Sequence, residues 1–495
     1  MKTLKFSLLA AAVAVTGCSS IPSIGPDYDE PQFDIPDYVL PDAGLPTTNL
    51  TATCEYAPAA TDDDDRVVIT DDVIDKWWLR FDDPLLADLV EGALTNNLSY
   101  LRTIKRLEQS EWEWLGSYAA FMPKFSVGAD WNRNWLHERT QQAGGARQDY
   151  NYSAAVLDGS WELDIFGGSR RRAEAAYAMA QAAGWGVADA WLSLTTQIGM
   201  RYIALRTVQE SIAVSRTNLV LQTETYDILK SRLDSGIGDE LAVNQCAYVV
   251  EQTRASIPGL LAREDELKNE LAVLAGEVPG AFDETLAPVA EPRDWLLAPQ
   301  KVASLPLDLL RARPDVKAAE RQLAAATAEI GVAKAMWLPK LFINGQIGFN
   351  TPTSKSLFSK ASFFAAIGPS VSWPIFQGGA IYANVKATEA KMEAAALDYA
   401  LALENAYADV RNSYSAYTQE YHRYQSLQSA VKAATDAVTI SKDLYKNGLR
   451  DFNNVLDAQR SRLQLEDELV ASRGQITIKL IQLYRSLGGG LSRQR

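Results

Sequence analysis

"LDIFGG" (163–168) and "WPIFQGG" (373–379) each close a stretch of alternating apolar and polar residues, and each open a long, charged, alanine-rich segment. The flanks repeat with them. "FMPKF" (121–125) returns as "WLPKL" (337–341), 216 positions on, and Gly236 in "LDSGIGDELAVNQ" returns as Gly448 in "YKNGLRDFNNVLDAQ", 212 on. "LAVLAG" stops at Gly276 and "LYRSLG" at Gly488, again 212 apart. Landmarks in one order at nearly one spacing define a tandem duplication, with small differences of offset left to loops.

The alternation occurs on both sides of each hairpin. Phe125, Val127, Ala129 and Trp131 alternate with Ser126, Gly128, Asp130 and Asn132. Ala155, Leu157, Gly159, Trp161 and Leu163 alternate with Val156, Asp158, Ser160 and Glu162. In the second copy Leu341, Ile343, Gly345, Ile347 and Phe349 alternate with Phe342, Asn344, Gln346, Gly348 and Asn350. Phe363, Ala365, Ile367, Pro369, Val371 and Trp373 then alternate with Ala366, Gly368, Ser370 and Ser372. A period of two predicts strands with one apolar and one polar face. About ten to twelve residues suits a tilted strand crossing a bilayer. Any one hairpin also fits a soluble core, because the barrel signal per segment is weak. The polar connections "LHERTQQAGGARQDY" (136–150) and "TPTSKSLFSKAS" (351–362) favour the membrane wall, as loops facing outside the cell.

The long segments carry a heptad. Tyr177, Gly184, Trp191, Ile198, Leu205, Ile212, Leu219, Tyr226 and Leu233 recur every seventh residue. Ala180, Val187, Leu194, Val208 and Leu229 sit three further on, interrupted by Arg201, Ser215 and Gln222. Leu403, Val410, Tyr417, Tyr424, Val431, Val438 and Tyr445 repeat the pattern. Sustained heptads predict helices packed side by side, and the first would reach roughly 100 Å at 1.5 Å per residue. Four strands do not close a barrel, and an open edge in lipid leaves backbone groups unsatisfied. Copies must therefore associate, and strand arithmetic alone does not say how many.

Composition excludes other classes. At 495 residues the chain has room for several domains. Its 47% hydrophobic and 22% charged residues are ordinary for a folded protein and too polar for a helical membrane bundle. No run beyond residue 20 offers 18 consecutive apolar residues. The net charge of −14 argues against a nucleic-acid partner, which needs a basic patch. Cys18, Cys54 and Cys246 have no CxxC spacing and the histidines are His137 and His422, so no zinc, redox or Ser/His motif is offered. Phosphate-loop, dinucleotide and nucleophile-elbow motifs are absent. No catalytic site, cofactor or metal is expected. Cys54 and Cys246 are either bridged in an oxidising compartment or buried, idle thiols, the second being the simpler reading.

"MKTLKFSLLAAAVAVTGCSS" (1–20) has Lys2 and Lys5, a short apolar core and small residues leading to Cys18, the pattern of a secretory signal. "VTGC" resembles the bacterial lipoprotein processing box, which makes Cys18 the lipidated first residue, and Ser19 in such signals implies the outer membrane. An ordinary signal with an incidental cysteine is the alternative. The expected organisation is a signal over 1–17, a lipidated, extended and solvated arm over 18–76, and repeats over 77–290 and 291–490. The first repeat holds a helix, a β-hairpin at 123–165, a long helix at 169–234 and a helix at 238–276. The second holds a helix at 306–338, a β-hairpin at 340–375, a long helix at 379–447 and a helix at 451–487.

"LPLDLLRARPDVKAAERQLAAATAEIGVAKAMWLPKLFINGQIG" (305–348) resembles the hallmark stretch of the outer membrane factor family, the TolC-like efflux ducts. "WWLRFDDPLLADLVEGALTNN" (77–97) and "LYRSLGGG" (483–490) resemble its lipoprotein branch, which serves resistance-nodulation-division pumps. The resemblance implies a mixed α/β membrane protein: a homotrimer whose 12-strand transmembrane β-barrel takes four strands per chain and continues into a periplasmic helical coiled-coil barrel. It implies an exit duct for small amphiphiles, not an enzyme, anchored by lipid and barrel in the outer membrane. Its partners would be a periplasmic adaptor (membrane fusion) protein, an inner-membrane pump and outer-membrane lipid.

The resemblance also assigns residues. The adaptor would dock on the helix-hairpin tips, Gly236, Ile237, Gly238 and Asp239 in one copy and Gly448, Leu449, Arg450 and Asp451 in the other. Asp457 matches the carboxylate of the periplasmic gate, while Asn453 and Asn454 stand where relatives often carry Leu or Asp. Gly167, Gly168, Gly378 and Gly379 fall where strand must turn into helix, which suits residues free of a Cβ. A duct for metal ions or secreted polypeptide fits the same fold, and a poreless coiled-coil lipoprotein is the alternative of another class.

Overall fold

The computed structural model describes residues 23–31, 76–135, 150–288, 310–351 and 356–488. Cys18, Cys54 and most of the expected arm lie outside the described residues. The elements in chain order are α1 (Pro84–Asn96), α2 (Leu98–Ser117), β1 (Lys124–Asn134), β2 (Tyr150–Leu163), α3 (Gly168–Asp234) and α4 (Glu240–Ala275). The second half supplies α5 (Pro314–Ala335), β3 (Lys340–Thr351), β4 (Phe363–Ser372), α6 (Ala380–Lys446) and α7 (Phe452–Ser486). Both α3 and α6 are 67 residues long.

Two expectations change at helix starts. The single helix expected before the first hairpin is a short 3-10 turn (Trp77–Phe81) followed by α1 and α2. Asn97 makes the break: its backbone is extended and its side chain accepts from the Tyr100 amide at 2.8 Å, so it closes one helix by opening the next. The start expected at 306 lies outside the described residues; 310 and 311 are helical, and the chain breaks at Ala312 and Arg313. Helix α5 begins at Pro314, which suits a first helical turn because it has no amide to leave unpaired.

The described chain falls into two compact units. One comprises Arg106–Gly184 and Ala318–Ala400 with the described N-terminal residues 23–31. Its sheet has the order β1-β2-β3-β4, antiparallel throughout, so the two copies of the repeat meet where β2 pairs with β3. In register, Phe125 faces Gly159, Val127 faces Leu157, Leu157 faces Ile347 and Gly345 faces Ile367, which gathers the apolar residues of all four strands on one face. The opposite face is stitched by side chains: Ser160 to Asn344 at 2.9 Å, Asn344 to Ser370 at 2.7 Å and Gln346 to Asp158 at 2.8 Å.

Residues 23–31 correct the reading of the arm as a solvated tether. Arg171 is buried and pairs with Asp27 and with Glu174 at 2.8 Å, Tyr28 donates to the buried Glu320 at 2.6 Å, and Tyr399 donates to Glu30 at 3.2 Å. The segment therefore touches α3, α5 and α6, binding helices of both copies. Periodicity is blind to such a strap because it has none.

The other unit comprises the described parts of Phe33–Lys105, Trp185–Lys317 and Leu401–Arg495. Trp77 and Trp78 are fully buried there with Leu86, Ile198, Leu205, Leu267, Leu271, Tyr417 and Ile481. Trp77 stacks on Tyr484 with ring centroids 6.3 Å apart. Truncating a tryptophan so buried costs roughly 3–5 kcal/mol, so the paired Trp at 77–78 is a core signal. Asp83 caps α1 through the Leu85 amide at 3.0 Å and accepts from Tyr202 at 2.5 Å. The heptad stripe reads through: Leu403, Val410, Tyr417 and Val438 are buried, and so are Ser215 and Gln222, which fill seam positions without being apolar.

Candidate functional site

Among the described residues nothing covers the apolar face of the sheet. Phe125 is 69% exposed, Val127 81%, Ile367 84% and Val371 67%. Apolar side chains are rarely left in water as one contiguous surface in soluble proteins. Within the chain β1 and β4 each keep one unpaired edge. Among the described residues no helix is long and apolar enough to cross a membrane, and no cluster that could hold a metal ion is present.

The joints between strand and helix differ in the two copies. Gly167 has φ +79°, and a Cβ on it would lie 2.5 Å from that of Ser23. Gly168 has an ordinary φ, but its Cβ would lie 2.9 Å from that of Ala335. Gly378 and Gly379 have φ +59° and +87° in open space, so conformation alone selects them. The first joint carries a further device. Asp164 accepts from the amides of Ser169 at 3.1 Å and Arg170 at 2.9 Å, capping the start of α3 where free N–H groups favour an anion. Pro374 stands at that point in "WPIFQGG", so the second joint has no such cap.

Both helix-hairpin tips lie in the second unit and rest on one core of Leu229, Val243, Cys246, Val249, Phe452, Val455 and Leu456. Each long helix ends in the same motif. Gly236 donates to Leu233 at 2.8 Å and Ile237 to Arg232 at 3.1 Å; Gly448 donates to Tyr445 at 3.0 Å and Leu449 to Leu444 at 2.9 Å. The left-handed glycine reverses the chain and leaves Ile237 72% and Leu449 68% exposed at the two tips. Gly238 is needed for closeness, since a Cβ there would lie 2.4 Å from the Leu233 amide nitrogen, whereas Arg450 occupies the matching place. Asp239 caps α4 through the Leu241 amide at 2.9 Å; Asp451 precedes α7 without such a side-chain bond.

Asn453, Asn454 and Asp457 are exposed on the first turns of α7, opposite buried Phe452, Val455 and Leu456. Asn454 turns its amide back on the Asp451 carbonyl at 3.3 Å, a use in holding the tip. Asp457 meets Arg460 at 3.5 Å, and the Arg460 guanidinium lies 4.9 Å from the Tyr248 ring centroid on α4. Arg460, Asp164 and two tryptophans, Trp161 and Trp373, are positions to which sequence reasoning gave no site role. The tryptophans had a signal, since they sit 212 apart at the ends of equivalent strands.

A four-stranded sheet with one bare apolar face, whose strands run on in sequence into two 67-residue helices, is the pattern of an outer-membrane channel protein. The chain matches the outer membrane efflux protein family over residues 89–277 and 305–489, and it belongs to that family. Nodulation protein T of Rhizobium leguminosarum bv. trifolii is 31% identical over 392 residues, 78% of this chain and 81% of that protein. The toluene efflux pump outer membrane protein TtgI of Pseudomonas putida is 28% identical over 414 residues, 83% of this chain and 87% of its own length. Among solved structures, the outer-membrane channel OprN superimposes with a TM-score of 0.81 at 30% identity, covering 94% of this chain and 99% of that one. The Campylobacter jejuni CmeC outer membrane channel reaches 0.83 at 20% identity, with 96% of each chain covered, a likeness of fold alone. The protein is thus an outer-membrane channel of the efflux family and not an enzyme.

Proposed function

We propose that this chain forms the exit duct of a tripartite efflux pump, passively passing small amphiphilic compounds from a periplasmic adaptor and a resistance-nodulation-division pump to the exterior. One observation carries the reading: a four-stranded sheet with a bare apolar face and two unpaired edges. In lipid such edges leave several kcal/mol per polar group unsatisfied, so β1 of one copy must pair with β4 of another until the wall closes. In this reading, which the family resemblance supports, three copies associate into a homotrimer with a 12-strand barrel. The tips, with Ile237 and Leu449 outermost, present the kind of exposed aliphatic surface an adaptor can cover. Asp457 is the gate carboxylate of this reading, and a lipid on Cys18 supplies a second anchor. The relatives named for solvent and toluene efflux support small apolar or amphiphilic cargo. The chain makes and breaks no bond, so the energy for transport comes from the pump.

The test is direct. Outer-membrane fractions should contain a heat-resistant trimer that conducts ions in planar bilayers. A monomer without conductance would sink the proposal.

A further inference from the structure

Lys124 in "FMPKF" and Lys340 in "WLPKL" stand at the same position of the repeat, and neither the wall nor the joints use them. Both line a cavity of about 220 Å³ enclosed by the ends of the strands, the first turn of α3 and the last turn of α5. Arg172 of α3 lines it too, so three cations converge from three elements. The acidic groups facing the same space are engaged. Glu162 holds Lys340 at 3.0 Å, and Asp164 is taken by the α3 amides and the Arg170 side chain. Lys124 and Arg172 are exposed, and neither forms an ion pair with another described residue.

Met122, Met336 and Phe342 supply apolar lining beside these charged groups. Thioether side chains adapt to many apolar shapes. The side matters as well. Lys124, Ser160, Glu162 and Lys340 alternate with the bare apolar residues along their strands, so they lie on the face away from Phe125 and Val127. A lipid on the apolar face does not reach this cavity; a solute passing along the polar face does.

We propose that this cavity is a resting site for amphiphiles with an anionic head, such as a carboxylate, sulfate or sulfonate. Lys124 and Arg172 take the head, and the methionines and Phe342 take the tail. The proposal rests on the exit-duct reading and narrows its cargo. Exposed cations bind weakly and are screened by salt, which suits a passage, because a passenger must leave as readily as it enters.

The experiment uses the full chain in planar bilayers, with decyl sulfate, decyltrimethylammonium or decyl maltoside added at equal concentrations. Decyl sulfate should block the wild type at a concentration about tenfold below that needed for the K124Q/R172Q variant. Raising the salt should weaken the block, the charge-conserving K124R/R172K variant should retain it, and the other two surfactants should act alike on all three proteins. Equal block of wild type and K124Q/R172Q by decyl sulfate overturns the site. If the wild type carries no current, the exit-duct reading falls, and calorimetric titration of decyl sulfate into the protein in neutral detergent decides the site alone. About tenfold weaker binding by K124Q/R172Q upholds it there, and equal binding overturns it.

Discussion

The indole N–H of Trp161 donates to the main-chain carbonyl of Phe121 at 2.9 Å, and the second copy builds the same clasp from Trp373 to the carbonyl of Trp337 at 3.0 Å. In each case the tryptophan ends the second strand and the carbonyl lies just ahead of Pro-Lys, so one bond ties the two ends of a hairpin together. Tryptophan suits a membrane boundary, where its ring is apolar and its N–H still needs a partner. A hydrogen bond of this kind is worth roughly 0.5–1.5 kcal/mol, with the larger values where water cannot replace it. Trp161 is half-buried and Trp373 is exposed. Trp161→Phe should therefore lower the thermal midpoint of the detergent-solubilised protein more than Trp373→Phe does. The reverse order, or no shift in either, would remove the clasp as a determinant of stability.

The joint glycines should separate by mechanism. At Gly378 and Gly379 the strain is conformational, about 1–2 kcal/mol for a residue with a Cβ, and asparagine tolerates that region better than alanine. Asparagine should restore much of the yield of heat-resistant trimer that alanine loses there, and a pair of bulky β-branched residues should lose most of it. At Gly168 the obstacle is the Ala335 methyl group 2.9 Å from any Cβ, so asparagine should do no better than alanine. The same response at both joints would refute this division.

The cysteines divide likewise. Cys18→Ser should abolish incorporation of labelled fatty acid while Cys246→Ser leaves it intact; labelling of the Cys18 variant would refute the lipid assignment. Burial pushes the Cys246 thiol from 9.0 up to about 11, and it is only 2% exposed. Iodoacetamide at mildly alkaline pH should therefore leave it unmodified until denaturant is added. An unfolded thiol ionises from about pH 9 while the buried one stays protonated, so folded-state stability should fall as pH rises from there towards about 11. The Cys246→Ser variant should lack that part of the decline, and an identical alkaline profile would show that other groups govern it.

In the proposed trimer, copies of Asp457 brought near the threefold axis would repel one another and bind cations between them, forming the proposed gate. Asp457→Asn should lower cation preference and blunt block by divalent ions added from the periplasmic side. Because Arg460 lies 3.5 Å from the carboxylate, Arg460→Gln should act the opposite way, raising cation preference and strengthening the divalent block. Unchanged selectivity and block in Asp457→Asn would move the gate elsewhere.

What the sequence could disclose was whatever repeats. Alternation along Phe125–Trp131 and Leu341–Phe349, heptads through Ile198 and Val410, and landmark pairs such as Gly236 and Gly448 all express local periods set by strand and helix geometry. They sufficed for the strands, the long helices and the tips. The break at Asn97 and the break ahead of Pro314 leave no such trace, since a cap acts over one turn and has no period.

By itself, then, the sequence determined the duplicated strand-and-helix plan, the bare apolar face and the glycine reversals at the tips, because each follows from the conformational preferences of neighbouring residues. Only the tertiary structure decided that β2 pairs with β3 across the two copies, that Asp27, Tyr28 and Glu30 strap three helices, and that Lys124, Lys340 and Arg172 share one cavity. Those are meetings between residues up to hundreds of positions apart. No local preference encodes them, and they arise only when the packed chain closes the distance.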